Sequence, residues 1–187
     1  HNPFAEIPVE VGNLELLKEL HEWEVGVGCL KKLIELDVRE CGLTEWPPQL
    51  EKIPVLAMLN VAHNNIGTVQ PSIGENVTLK YVDYSHNQIM ELPAELYNCT
   101  LLQTMCGHHN QISAWPSQIN LTTRFTYMVK LDMSHNKFTA LDGSFQIFYK
   151  LQTLDLSHNE IAEVTNAISV LINLNTIDLS HNKIKSL

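Results

Sequence analysis

The sequence predicts an α/β fold of the solenoid type, a curved horseshoe in which short coils stack side by side. Three observations predict it. The pair His-Asn recurs at a nearly constant spacing, the residues before each pair alternate between apolar and polar, and the same apolar positions return in every unit. We therefore expect a parallel β-sheet on the concave face and short helical or irregular segments on the convex face.

The asparagines of these pairs define the length of the unit. Successive ones are 23, 23, 26, 23 and 23 residues apart, and Cys41 holds the same slot 23 residues before the first. We predict seven regular repeats from about residue 33 to residue 187, with the three extra residues bulging within 116–127. The slot residues form a predicted structural ladder: Cys41, Asn64, Asn87, Asn110, Asn136, Asn159 and Asn182.

The apolar pattern of each unit explains why the coils must stack. In one unit Leu154 and Leu156 alternate with polar residues, as in a strand with one buried face, and Ile161 points back into the same core. The amide of Asn159 donates and accepts at once, so we expect it to satisfy turn backbone groups in its own coil and in the next. One coil cannot bury its apolar edge alone, and neighbours are therefore obligatory.

The whole chain, 1–187, is predicted to be one domain. Residues 1–32 fit the repeat poorly and are expected to form irregular N-terminal coils. The sequence begins inside one unit and stops inside another, and neither end carries the polar cap that a solenoid needs. We therefore expect it to be an excerpt of a longer protein.

The pattern L-x-x-L-x-L-x-x-N/C-x-L resembles the leucine-rich-repeat family over nearly the whole chain. The run IPVEVGNL at 7–14, the 23-residue period and the pairs Leu92-Pro93, Trp46-Pro47 and Trp115-Pro116 resemble intracellular proteins of the Ras-suppressor, Scribble, Erbin and Roco type. The run LDLSHN at 154–159 also resembles extracellular and plant receptors. The resemblance implies recognition of another protein, and we expect Trp46 and Trp115 to be core residues.

Charge and composition restrict the partners. The chain has 12 basic and 21 acidic residues and a formal net charge of −9, which argues against nucleic-acid binding and favours a protein partner with a basic segment. No apolar stretch approaches a membrane span and no signal peptide is visible, so we expect no membrane insertion and a cytoplasmic location. The alternative is an extracellular chain, in which the sequons at Asn76, Asn98 and Asn120 become glycosylation sites on the convex side.

The partner is expected on the concave face, where polar strand positions form columns. One column carries five carboxylates, which either attract a basic segment or are simply the well-solvated consensus of the repeat. Departures from the consensus are more informative, and Met58 beside Tyr81 is the predicted apolar anchor. The predicted partner-binding residues are Met58, Asn60, Tyr81, Asp83, Cys106, His108, Lys130, Asp132 and Asp155.

A further column holds six histidines, from His63 to His181. We interpret them as frequent neighbours of the repeat asparagine that have no function of their own. The alternatives are a pH switch, because clustered imidazolium groups repel one another, and an ion shared by neighbouring imidazoles. We assign no metal ligand and no cofactor.

The predicted function is a protein–protein interaction module of an intracellular signalling or scaffold protein. The alternatives are a receptor ectodomain and the regulatory repeat region of a larger enzyme, such as a Roco-type GTPase-kinase, a phosphatase or an adenylate cyclase. No nucleophile elbow, P-loop or H-E-x-x-H motif occurs. We therefore predict no enzymatic activity for this segment, although a parent chain could carry a catalytic domain elsewhere.

Overall fold

A computed structural model describes residues 30–116 and 125–185. Each coil contributes one short strand to a main sheet, and most coils return through a 3-10 helix. The strands are β1 (Glu35–Asp37), β2 (Met58–Asn60), β3 (Tyr81–Asp83), β4 (Thr104–Cys106), β5 (Lys130–Asp132), β6 (Ala140–Leu141), β7 (Thr153–Asp155), β8 (Glu163–Val164) and β9 (Thr176–Asp178). The 3-10 helices are η1 (Leu50–Lys52), η2 (Pro71–Glu75), η3 (Ala94–Asn98), η4 (Gly143–Phe148) and η5 (Asn166–Val170).

The main sheet has seven parallel strands in the order β1-β2-β3-β4-β5-β7-β9. Every strand pairs with its neighbour in the same register, so that Leu36 lies beside Leu59, and Leu59 beside Val82. β6 and β8 form a separate two-stranded parallel sheet. The predicted solenoid with a parallel sheet is confirmed, and the return segments are short 3-10 helices.

The middle residue of each strand points into the core, as the alternating pattern predicts. Leu59, Val82, Met105, Leu131 and Leu154 are completely buried. They join one continuous apolar cluster that extends along the stack. Stability of this kind is approximately a sum of coils and of their nearest-neighbour contacts.

Both tryptophans belong to this core, as predicted. Trp46 is 2% exposed and Trp115 is 6% exposed, and neither indole nitrogen has a hydrogen-bond partner. Trp115 lies in a cluster of aromatic rings, with ring centroids 5.1 Å from Phe148 and 6.3 Å from Phe138. These contacts replace those that leucine makes at this slot in an ordinary coil.

In the central coils, a large side chain in one repeat fills the space left by a glycine in the next repeat. Gly107 occupies a core slot that holds Tyr84 in the preceding coil and Met133 in the following one. A Cβ atom at Gly107 would overlap the Tyr84 ring and would lie 2.8 Å from Met133 Sδ. Glycine is required here because the buried Tyr84 ring reaches across its position, and Tyr84 Oη lies 3.9 Å from Met133 Sδ.

The asparagine ladder joins each coil to the one before it. Asn110 Oδ1 accepts from Ile89 N at 2.9 Å, and its Nδ2 donates to Tyr84 O at 3.0 Å. The same amide also donates to Gly107 O and His108 O in its own turn. The predicted bridging role is right, but the second coil is the preceding one and not the next. This pattern repeats at Asn64, Asn87, Asn136, Asn159 and Asn182.

Cys41 occupies the asparagine slot with a thiol in place of the amide. Its Sγ donates to Arg39 O at 3.4 Å, and its backbone N–H donates to Asn64 Oδ1 at 3.1 Å. Glu40, which precedes it, has φ 56°, close to the 51–54° of the six ladder histidines. The left-handed backbone before the slot is therefore kept when the amide is replaced by a thiol, but the turn differs after it, where Gly42 also has a positive φ of 72°.

Several predictions lie outside the described residues. They are the irregular coils over 1–29, Asn120, the end of the seventh repeat at 186–187, and most of the predicted bulge. No helix of the described part is long and apolar enough to cross a membrane.

Candidate functional site: the concave sheet face

Two columns of side chains flank the buried middle residue on the open side of the main sheet. The first comprises Glu35, Met58, Tyr81, Thr104, Lys130, Thr153 and Thr176. The second comprises Asp37, Asn60, Asp83, Cys106, Asp132, Asp155 and Asp178. In-register pairing sets the residues of one column about 4.8 Å apart.

The predicted apolar anchor is a true neighbour pair. Met58 and Tyr81 are register partners on β2 and β3, and Met58 is 38% exposed. Tyr81 Oη donates to Asp83 Oδ2 at 3.1 Å, which orients the ring along its own strand. Partial burial and the nearby Asp83 carboxylate raise the pKa of Tyr81 well above its usual range. The phenol is therefore a neutral hydrogen-bond donor at physiological pH.

In the second column, one oxygen of each of several carboxylates accepts hydrogen bonds from the serine two residues later and so stabilises the end of the strand. Asp83 Oδ1 accepts from Ser85 N at 2.9 Å and from Ser85 Oγ at 2.6 Å. The same pair of bonds recurs in the coils of Asp132 and Asp155. The second oxygen of Asp83 accepts from Tyr81 Oη. At Asp132 and Asp155 the serine bonds use Oδ1 alone, so these half-buried carboxylates support the strand ends and still present charge to a partner.

These bonds correct one expectation about the face. The alternation of the strand, continued two residues past each aspartate, would place Ser85, Ser134 and Ser157 on the open concave side, but they are 2%, 7% and 7% exposed. Each hydroxyl turns back onto the aspartate two residues earlier, because the chain leaves the sheet at this point. The repeated D-x-S spacing was the signal for this turn.

Cys106 is also less accessible than its position in the column suggests. It is 8% exposed and offers a partner little of its side chain, and its role in binding stays a prediction. Its short side chain lies below the level of its neighbours, and burial together with Asp83 raises the pKa of the thiol to about 11. The other predicted partner-binding residues are exposed or half-buried: Met58, Asn60, Tyr81, Asp83, His108, Lys130, Asp132 and Asp155.

The three sequons differ sharply. Asn76 is 2% exposed and its Nδ2 donates to Leu50 O at 2.7 Å, so a glycan on this amide would not fit the folded coil. The core slot that Asn76 fills holds Ile53 in the preceding coil and Cys99 in the following one. Asn98 is exposed at the end of η3 and stays a predicted acceptor, whereas Asn120 lies outside the described residues.

The six histidines form one continuous stack. Neighbouring rings lie face to face with centroids 4.0–4.1 Å apart, from His63 through His181. Desolvation and the neighbouring imidazoles lower the pKa of His109 to about 4, and they shift the pKa of His86 and His158 in the same direction. Stacking of neutral rings is thus favoured over protonation.

Comparisons with known proteins agree with this geometry. A family model described as Leucine Rich repeat matches residues 150–162. The crystal structure of the TLR13–ssRNA13 complex superposes with a TM-score of 0.72 and 25% identity, over 84% of this chain and 23% of that chain. A leucine-rich-repeat protein of Leptospira interrogans superposes with a TM-score of 0.69 and 23% identity, over 81% of this chain and 44% of that one.

No curated protein matches the sequence significantly. The chain spans less than half the length of each of the two solved structures to which it is similar. The in-register sheet, the asparagine ladder and these similarities lead to one conclusion: this chain has the leucine-rich-repeat solenoid fold.

Proposed function

We propose that this segment is the partner-binding module of an intracellular signalling or scaffold protein, and that it binds a basic protein segment on its concave face. The observation that carries the proposal is the register pair Met58–Tyr81 beside the acidic column. An exposed apolar pair supplies contact area, while the carboxylates flanking it favour and steer a cationic partner.

Charge supports a protein partner over a nucleic acid. The net charge is −9, and Asp83, Asp132 and Asp155 line the same face as the anchor. The phosphate backbone of RNA or DNA would be repelled by this column. TLR13 was crystallised with a single-stranded RNA, so RNA binding is the contrast that an experiment on this chain needs to include.

The test is a selection of random displayed peptides against the immobilised chain, followed by affinity measurements on the recovered peptides. We expect enrichment of Lys and Arg, at least tenfold weaker binding by Tyr81→Ala, and no competition by single-stranded poly(U) RNA. Thr153→Ala is the matched control, because Thr153 occupies the same column outside the anchor.

Two results would contradict the proposal. One is recovery of peptides without basic residues, and the other is a Tyr81→Ala affinity within twofold of the unsubstituted chain. Displacement of the peptides by poly(U) would instead place RNA on this face.

A receptor ectodomain is the second candidate, and the exposed sequon at Asn98 favours it. The concave face would then bind an extracellular protein ligand, and a glycan on η3 would leave that face open. The role of a regulatory region in a larger enzyme would depend on catalytic sequence outside this segment.

A further inference from the structure

The histidine stack alone does not form a metal site. Rings that stack face to face at 4.1 Å hold their nitrogen lone pairs in parallel planes, so two stacked rings share an ion only if one of them turns out of the stack. The proposal that neighbouring ladder imidazoles share an ion therefore needs a ring in a different orientation.

His108 supplies such a ring. Its slot holds Ala62, Ser85, Ser134 and Ser157 in other coils, so it adds an imidazole to the stack at one place. The His108 ring is nearly perpendicular to both neighbours, at 87° to His86 and 78° to His109. Its Nδ1 lies 3.0 Å from Nδ1 of His109.

We propose that His86, His108 and His109 form a binding site for a divalent transition-metal ion that prefers imidazole nitrogen, of which Zn²⁺ is the representative. One ring nitrogen from each residue lies within 4.8 Å of the other two. Tetrahedral zinc with bonds of about 2.0–2.1 Å to nitrogen separates two ligand atoms by about 3.3 Å. The Nδ1 atoms of His108 and His109 need to move apart by only about 0.3 Å to reach that separation.

The surroundings allow the third ligand to join. His86 stacks on His109 at 4.1 Å, so one of these two rings must turn out of the stack to bind the same ion. His86 is half-buried and His109 is exposed, which leaves room for that rotation about the broad χ2 torsion. Three histidines and one open position match the donor set of zinc sites that keep a water or accept a ligand from outside. The fourth position faces solvent beside the concave face, where a carboxylate or imidazole of a partner can complete the shell.

The thiols of the described residues are alternative zinc ligands that must be told apart from this site. Cys41 is half-buried and belongs to the coil of β1, two coils before that of His86. Cys99 and Cys106 are buried, and burial raises the pKa of both thiols. A zinc ion on these sulfurs would require the core to open, whereas the three histidines are half-buried or exposed.

Isothermal titration of the chain with ZnCl₂ in a non-chelating buffer tests the proposal. We expect one ion per chain and at least a tenfold loss of affinity in His108→Ser, which restores the residue of the neighbouring coils and therefore preserves the turn. His158→Asn is the matched control, since His158 belongs to the stack but not to the trio, and its affinity should be unchanged. Co²⁺ substitution should give d–d absorption without a thiolate charge-transfer band.

Three results would overturn the assignment. They are absence of saturable binding, equal affinity in His108→Ser and the unsubstituted chain, and an equal loss in His158→Asn. A thiolate band with Co²⁺ would move the ion to cysteine and would also contradict the proposal. The concave-face peptide assay can be run in the presence of EDTA, so that failure of one proposal leaves the other intact.

Discussion

At the scale of single residues, the solenoid tolerates departures from its consensus when a neighbouring coil compensates. Gly107 shows this most clearly, because the glycine slot is filled from the preceding coil by the Tyr84 ring. The sequence alone marks Gly107 as an irregular core residue, but it does not reveal which neighbour fills the space. That pairing depends on the rotamer of Tyr84. Side-chain packing determines the rotamer, and the repeat pattern of the sequence does not show it.

Gly107→Val is expected to destabilise the fold by about 1–3 kcal/mol, because a new side chain must displace the Tyr84 ring. The double variant Gly107→Val/Tyr84→Val restores two ordinary core residues and should recover part of that loss. Urea unfolding of the unsubstituted chain, the two single variants and the double variant measures the coupling free energy between the two positions. Strictly additive effects would show that the ring does not occupy the glycine slot.

The stacked histidines predict a pH dependence of stability that can be followed at His158. Desolvation, His135 and His181 lower its pKa, while Asp155 and Asp178 oppose the shift. The unfolded chain then binds the proton more readily than the folded one, so stability should fall as the pH drops below about 6.5. Thermal melts in EDTA between pH 7.5 and 5 should show a smaller decrease for His158→Asn, which keeps a residue suited to positive φ. An unchanged slope would contradict this account.

The two described sequons predict different outcomes in a secretory host. A glycan at Asn76 is incompatible with its buried amide, whereas Asn98 is exposed. Glycopeptide mass spectrometry of the folded secreted product should find glycan at Asn98 and none at Asn76. A folded product glycosylated at Asn76 would contradict the placement of that residue.

At the scale of the element, the turn after each strand connects consecutive coils. The period and the strand positions are readable from the sequence because every coil repeats the same alternation, and the register follows from it. The burial of the serine column and of Cys106 is not readable in this way. It depends on where the chain leaves the sheet, which is set by the aspartate–serine bonds and the positive φ of the following histidine.

Asn110→Ala should cost on the order of 1–3 kcal/mol, because it leaves buried groups of two coils without partners. Asn182 makes the equivalent bonds but is only half-buried. Water can replace part of those bonds, so Asn182→Ala should cost less. Equal losses in the free energy of unfolding, measured in urea, would contradict the view that burial determines how much each asparagine of the ladder contributes to stability.

At the scale of the whole molecule, stacking of the repeats gives a continuous concave face, and the repeat asparagines and histidines line up along the stack. Consensus residues build the face, and the exceptions Met58, Tyr81 and His108 give it local character. The sequence identifies those exceptions and the strands that carry them. It does not identify the perpendicular orientation of His108, which arises where one additional side chain meets two rings that stack on each other.

The measurement that tests the central claim most directly is hydroxyl-radical footprinting of the chain with and without a selected basic peptide. Met58 and Tyr81 on the concave face have matched controls in Met90 and Tyr127, which are 58% and 52% exposed and lie outside the strands of the sheet. The account predicts that the peptide protects Met58 and Tyr81 from oxidation and leaves Met90 and Tyr127 unchanged. Protection of Met90 or Tyr127 with no change at Met58 and Tyr81 would place the partner elsewhere and contradict it.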